Sequence, residues 1–259
     1  MQLPIYQVDA FASKLFEGNP AAICPLSEWV SDELMQQVAM ENNLSETAFF
    51  VPQNDRYRLR WFTPTTEVDL CGHATLASAH VLFEHLEYQR STIKFDTNSG
   101  VLKVRKEDDQ LVMDFPAAAL NATETPDFLE KAIGHPAKEL YHDTDYLYVL
   151  ENEEQIRNLD PDIAAISKAD ARGVIVTAPS KQVDFVSRFF APAAGVDEDP
   201  VTGSAHTMLT PYWAQQLGKE KLVGRQVSQR GGTVYCRQHG DRIALGGQAC
   251  TFMQGVITL

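Results

Sequence analysis

Three short stretches of the sequence hold residue types suited to moving a proton on a small acid. The first is Asn42-Asn-Leu-Ser-Glu-Thr-Ala-Phe-Phe50, where Glu46 stands between a polar turn and an apolar strand. A carboxylate at the mouth of such a strand is expected to be partly buried, which raises its pKa toward the working range of a general base. On local sequence alone, a Glu bonded to the turn backbone is the commoner outcome. The second stretch is Asp69-Leu-Cys-Gly-His-Ala-Thr75. Gly72 lets the backbone approach a ligand, and His73 opens a predicted helix whose first N–H groups suit a carboxylate. His73 adds a hydrogen bond or a proton, although a lone His more often serves the core or a cap. The third is Asp197-Glu-Asp-Pro-Val-Thr-Gly-Ser-Ala-His206. Pro200 and Gly203 shape a turn, Gly203 and Ser204 offer N–H groups to an oxyanion, and Asp199 orients the reacting groups or shares in proton transfer. Taken singly, Glu198 or Asp199 reads as an acidic first turn that complements a helix dipole.

An internal repeat links the second and third stretches. Arg60-Trp-Phe-Thr-Pro-Thr-Thr-Glu-Val-Asp69 returns 128 residues later as Arg188-Phe-Phe-Ala-Pro-Ala-Ala-Gly-Val-Asp197, with five of ten positions identical. Each copy runs on into a small-residue turn and a helix-like stretch, after three extra residues in the second copy. Two copies are too few for a solenoid. The repeat instead predicts two similar α/β domains related by a pseudo-twofold axis, with a site between them that receives a Gly-led helix start from each.

The elements that must position these residues are legible from periodicity. Alternation predicts strands over 2–9, 47–52, 57–62, 92–96, 100–105 and 110–115, with turns at Asn98-Ser-Gly100 and Asp108-Asp109. Helical spacing runs over 31–42 with Ser31 as N-cap, and Asp160-Pro161 is read as opening another helix. Ile175 and the stretches 185–190, 234–244 and 252–259 read as further strands, and 116–126 as a linker.

Composition narrows the partners. The chain has 259 residues, 44% hydrophobic and 22% charged, which is ample for a core or for two domains. A net charge of −13 without a Lys/Arg cluster argues against nucleic acid as the main partner. The N-terminal stretch alternates like a strand and lacks the pattern of a signal peptide, and no apolar run nears the roughly 20 residues needed to span a bilayer. A cytoplasmic protein without membrane contact is therefore expected. Cys24, Cys71, Cys236 and Cys250 are widely spaced and read as reduced thiols. His80 and His85 are five residues apart and His142 is isolated, so no H-E-x-x-H or C-x-x-C set points to a zinc enzyme. Ser204 sits in T-G-S-A, not in a G-x-S-x-G elbow, which weighs against a hydrolase built from Ser204, His73 or His206, and Asp199.

The motifs Gly18-Asn-Pro-Ala-Ala22, Asn43-Leu-Ser-Glu-Thr-Ala-Phe49, Trp61-Phe-Thr-Pro64 and Glu67-Val-Asp-Leu-Cys-Gly-His-Ala-Thr75 recur in order in one known family. So do Arg188-Phe-Phe-Ala-Pro192, the stretch from Asp197 to His206, and Gln226-Val-Ser-Gln-Arg-Gly-Gly232. Over nearly its whole length the chain resembles the phenazine-biosynthesis PhzF-like family. The resemblance implies a diaminopimelate-epimerase-like fold, with two α/β domains that each curl a sheet around a central helix. Its last strand returns to the first domain, giving 1–117 plus 252–259 and 118–251. It implies isomerisation of a dihydro-hydroxyanthranilate without metal or organic cofactor, and a homodimer. The family's catalytic Glu falls on Glu46, and its substrate contacts on Gly72-His73, Asp199 and Gly203-Ser204. Related amino-acid epimerases use two cysteines, whereas this chain has Cys71 beside Gly72 and none in the matching turn at 201–206.

The expectation is a cofactor-independent isomerase acting on a small carboxylate-bearing carbon acid. Glu46 is the single general acid/base, His73 and Asp199 are its catalytic partners, and Gly72, Gly203 and Ser204 bind substrate. The alternative is a carboxylate-binding protein that uses the same residues without catalysis.

Overall fold

Alternation along the first 116 residues becomes eight strands and two helices in the computed structural model, which describes residues 1–259. The chain divides into a first unit, Met1–Asp114 with Gly246–Leu259, and a second unit, Phe115–Leu245. The sequence reading put these boundaries at 117/118 and 251/252.

The first unit is built from β1 (Gln2–Ala10), β2 (Asn19–Pro25), α1 (Asp32–Asn42), β3 (Glu46–Gln53) and β4 (Arg56–Phe62). It continues through β5 (Glu67–Val68), α2 (Gly72–Glu84), β6 (Thr92–Thr97), β7 (Gly100–Glu107) and β8 (Gln110–Pro116). β2 and β3 are parallel, with Ala21 opposite Glu46, and α1 is the crossover that parallel pairing requires. Ser31 caps α1 by accepting the Leu34 N–H at 3.2 Å, and Asn43 ends it in the left-handed region. β3–β4 and β4–β5 are antiparallel, while β4–β6 is parallel across α2. Residues 73–79 of α2 are all buried, and the helix packs on β1, β2, β3 and β7. Its hydroxyls stay satisfied inside the core because Thr75 Oγ1 donates to Cys71 O and Ser78 Oγ to Ala74 O.

The second unit comprises β9 (Asn121–Ala122), α3 (Asp127–Ile133), β10 (Glu139–His142), β11 (Tyr146–Val149), α4 (Glu153–Arg157) and α5 (Ile163–Ile166). Then come β12 (Val174–Pro179), β13 (Phe185–Ala191), β14 (Val196–Asp199), α6 (His206–Leu217), β15 (Lys221–Gln226), β16 (Gly232–His239) and β17 (Arg242–Gly247). Its pairings repeat those of the first unit in order and direction. β11–β12 is parallel, β12–β13 and β13–β14 are antiparallel, β13–β15 is parallel across α6, and β15–β16 is antiparallel. β18 (Ala249–Thr258) closes the first unit by lying antiparallel to β1 along its length.

The duplicated ten-residue segment is therefore the visible part of a duplicated α+β topology. Several local readings change. The helix expected at Asp160-Pro161 starts at Ile163, because the Asp162 side chain caps it by accepting the Ala165 N–H. The strand read over 234–244 is two strands separated by a turn at 240–241. The supposed linker at 116–126 contains β9, paired to β10. No helix is long and apolar enough to cross a membrane.

Candidate active site

Gly18 fixes the first wall of the site. Its φ is +70°, and a Cβ there would lie 2.1 Å from Ala10 O, so only glycine allows the turn that sets Asn19 opposite Ala10. Asn19 is fully buried at the start of β2. β3 begins one strand over with Glu46, where Asn42 Nδ2 donates to Thr47 Oγ1 at 3.1 Å and pins the turn leading into it. The third element is α2, entered through Cys71 and Gly72. Cys71 is its N-cap residue but makes no side-chain cap, and the Ala74 N–H faces the sulfur.

These elements bring four side chains together. Glu46 Oε2 lies 3.1 Å from His73 Nε2, with the N–H off the line a straight hydrogen bond needs. Asn19 Nδ2 is 3.3 Å and Cys71 Sγ 3.5 Å from His73 Nδ1. The imidazole is thus gripped on both nitrogens. Glu46 is 18% exposed and His73 7%, so the pair opens outward on the carboxylate side.

Burial opposes charge on both groups, and their mutual attraction outweighs it. Burial alone would raise Glu46, but the adjacent His73 holds it below the usual carboxylate value. Burial would likewise lower His73, but Cys71 and Glu46 beside it raise it well above an ordinary histidine. Each group favours the charged form of the other, and the lowered Glu46 is a correction to the elevated Glu46 expected from sequence. The error came from counting burial without the cation that accompanies it. Burial and the Glu46 charge push the Cys71 thiol up to about 11, so it stays protonated at neutral pH.

The second unit gathers Asp199, Gly203 and Ser204 in one turn. Asp199 ends β14, and its Oδ2 accepts the Thr202 hydroxyl at 2.5 Å. The buried Gln226 side chain spans the turn, accepting the Thr202 N–H at 2.9 Å and donating to Asp199 O at 2.6 Å. Ser228 Oγ donates to Pro200 O. Gly203 and Ser204 are not at the helix start as expected. Bonds spanning three residues, from His206 N–H to Gly203 O and from Thr207 N–H to Ser204 O, form a tight turn first, and α6 begins at His206. Neither Gly72 nor Gly203 has positive φ, so neither is required for backbone strain. His206 bonds Thr202 O through Nδ1 at 2.8 Å, and its buried Nε2 has no polar partner. It is thus not the base of a serine triad.

Each predicted residue therefore sits with the others of its own unit: Glu46, Gly72 and His73 in the first, Asp199, Gly203 and Ser204 in the second. The sequence reading assigned no role to Asn19, Cys71 or Gln226. Asn19 and Gln226 both lay within the motifs that carried the family resemblance, which was the available signal.

Known proteins resemble the chain along nearly its whole length. The family model described as phenazine biosynthesis-like protein (PhzC-PhzF) matches residues 8–255. A Pseudomonas aeruginosa protein named as an uncharacterized isomerase is 52% identical, with 100% of both chains aligned. A PhzF-family crystal structure from Enterococcus faecalis superposes with a TM-score of 0.98 at 45% identity, covering 100% of each chain. A hydroxyproline epimerase from Agrobacterium vitis shares the fold alone, with a TM-score of 0.64 at 10% identity, covering 99% of this chain and 92% of its own. The chain belongs to the phenazine biosynthesis-like (PhzC-PhzF) protein family.

Proposed function

We propose that the protein is an isomerase that relocates a proton on a small carboxylate-bearing carbon acid, with Glu46 as its single acid–base group and no metal or organic cofactor in the reaction. The observation that carries this reading is the 3.1 Å Glu46–His73 pair, partly open to solvent on the carboxylate side. The Glu46 carboxylate takes a proton from a carbon whose acidity is raised by conjugation, then returns the same proton at another position of the conjugated system. His73, as imidazolium, holds the base and offsets negative charge that develops on the substrate. The N–H groups at the start of α2, from Gly72, receive the substrate carboxylate. Asp199, Gly203 and Ser204 enter as substrate contacts through the family resemblance. The isomerase names of close relatives support the reaction class.

The test is deuterium uptake from heavy water into carbon positions of candidate acids, read by mass spectrometry. Wild type exchanges a carbon-bound proton, and Glu46→Gln slows exchange at least ~10²-fold, the usual scale for losing a general base. A wild type that binds acids yet never exchanges a carbon-bound proton would establish the binding-protein alternative. Near-normal exchange in Glu46→Gln would overturn the role of Glu46.

A further inference from the structure

Glu46, Cys71 and His73 form a donor set as well as an acid–base pair. One carboxylate oxygen, one sulfur and one imidazole nitrogen lie within 4.8 Å of one another. Tetrahedral zinc, with bonds near 2.0 Å to N and O, places such ligand atoms about 3.3 Å apart. The Glu46 Oε2 to His73 Nε2 separation is 3.1 Å, and neither atom has a straight hydrogen bond to lose. The Asn19 amide, 3.3 Å from Nδ1, supplies the outer partner that fixes a ligating imidazole; turned to offer its oxygen, it accepts the Nδ1 proton. The sulfur lies at the N-terminus of α2 with the Ala74 N–H facing it, a hydrogen-bond donor that a metal-bound thiolate would retain.

We infer that this cluster is a binding site for a thiophilic divalent cation of the zinc class, held by Glu46, Cys71 and His73 with a fourth position open to water. A sulfur–nitrogen–oxygen set selects zinc or cadmium over magnesium or calcium, which take oxygen ligands. On uptake the Cys71 thiol proton and the His73 Nε2 proton leave to solvent, and each ligand atom donates a lone pair to the metal. Binding stands independently of the proposed reaction. Its consequence does rest on that reading: with the Glu46 lone pair on the metal, no base remains, so the cation is an inhibitor that a chelator removes.

The full-length protein is titrated with cadmium chloride, a zinc surrogate whose bond to thiolate absorbs in the ultraviolet, with proton release followed in weak buffer. The expected result is a saturating thiolate–cadmium band of one equivalent per chain, with protons released and zinc chloride competing it away. Cys71→Ser abolishes the band. Glu46→Gln keeps the thiol but weakens apparent affinity at least ~10-fold, which tests the site even if the Cys71 variant folds poorly. Cys250→Ser, which alters the one cysteine that is not fully buried, leaves the titration unchanged. Absence of a band in wild type overturns the inference. So does a band that survives Cys71→Ser, one that disappears with Cys250→Ser, or unchanged affinity in Glu46→Gln. Because these readouts are spectroscopic, failure of the isomerase reading would leave them intact.

Discussion

After β4 and β5 the first unit turns through Cys71–His73 into α2, and after β13 and β14 the second turns through Asp199–Ser204 into α6. Both turns hang from the same brace. Arg60 grips both Glu67 oxygens at 2.7 Å, and Arg188 grips both Glu198 oxygens at 2.7 and 2.8 Å. Each guanidinium also lies over a phenylalanine, 5.1 Å from Phe62 and 5.0 Å from Phe190. The three extra residues of the second copy lie before Glu198, in a register shift between Phe189 and Ala191 and a 3-10 turn at Pro192–Ala194, and not after Asp197 as the sequence match placed them, so Glu198 stands where Glu67 does. Beyond the brace the two differ. The first turn sets His73 and a thiol against Glu46 of β3, whereas the second is tied shut by Gln226 and carries a neutral buried histidine. Duplication kept the scaffold and allowed one loop to take up charge while the other took up hydrogen bonds.

The sharpest test of this division compares the two carboxylates. Glu46→Gln removes the proposed base, with the loss of at least ~10² given above. Asp199→Asn keeps an oxygen to accept the Thr202 hydroxyl, and should cost at least ~10-fold less in exchange rate. Equal losses would mean that both turns transfer protons, and the contrast would fail.

The histidines give the next contrast, through pH. In wild type His73 holds Glu46 low, so exchange persists as pH falls to the ordinary carboxylate value near 4.5 and below it. His73→Gln removes the cation, burial then prevails, and the acid limb of the rate profile moves upward in pH. An unmoved limb would separate the two residues. Stability follows the same logic with opposite signs in the two units. His73 is raised in the folded state, so its contribution is complete below 6.5 and is lost as pH rises through its folded value. Burial pushes His206 down to about 4, so the fold loses stability as pH falls from 6.5 toward 4. That loss is on the order of 3 kcal/mol. Thermal melts across pH should show the acid loss shrink in His206→Gln and the alkaline loss shrink in His73→Gln.

Gln226 tests the closed turn. In Gln226→Leu the Thr202 N–H and the Asp199 carbonyl lose their partners in a buried setting. Each such group costs about 1–3 kcal/mol, visible as a lowered Tm. Exchange kinetics should change less than stability if the second turn is mainly structural. A neutral Tm would show that the turn holds itself.

What the sequence made legible follows from how local each determinant is. β4 was read nearly to the residue because its buried residues Leu59 and Trp61 alternate with half-buried arginines, and β3 because its run from Thr47 to Val51, although buried on both faces, is apolar and aromatic. β2 escaped because its Asn19-Pro-Ala-Ala-Ile-Cys-Pro run is buried on both faces and shows no alternation. Glu46 and His73 could be named by type and by their place at element ends. Their partnership could not, because it depends on the parallel register of β2 with β3 and on the entry of α2 beside them. The same blindness reversed the direction of the Glu46 pKa and hid Cys71 and Asn19 as its neighbours. The start of α6 was misplaced because bonds over three and over four residues look alike in sequence.

The smallest effect bears on the brace. Arg60→Lys and Arg188→Lys each lose a bidentate carboxylate contact that a point charge does not replace, at about 1 kcal/mol. The two arginines are not equally committed. Arg60 spends its third nitrogen on Asp32, an exposed carboxylate that contributes little. Arg188 spends its own on the Leu159 carbonyl at 2.6 Å, which ties the brace to the backbone following α4. Arg188→Lys should therefore exceed Arg60→Lys by roughly 0.5–1 kcal/mol in urea denaturation, the usual net value of one more hydrogen bond. If the two losses are equal, the Leu159 contact adds nothing and the braces are interchangeable. A larger loss in Arg60→Lys would mean that the Glu46–His73 pair leans on its scaffold more heavily than the hydrogen-bonded turn does. The asymmetry between the units would then begin in the brace itself, before either loop.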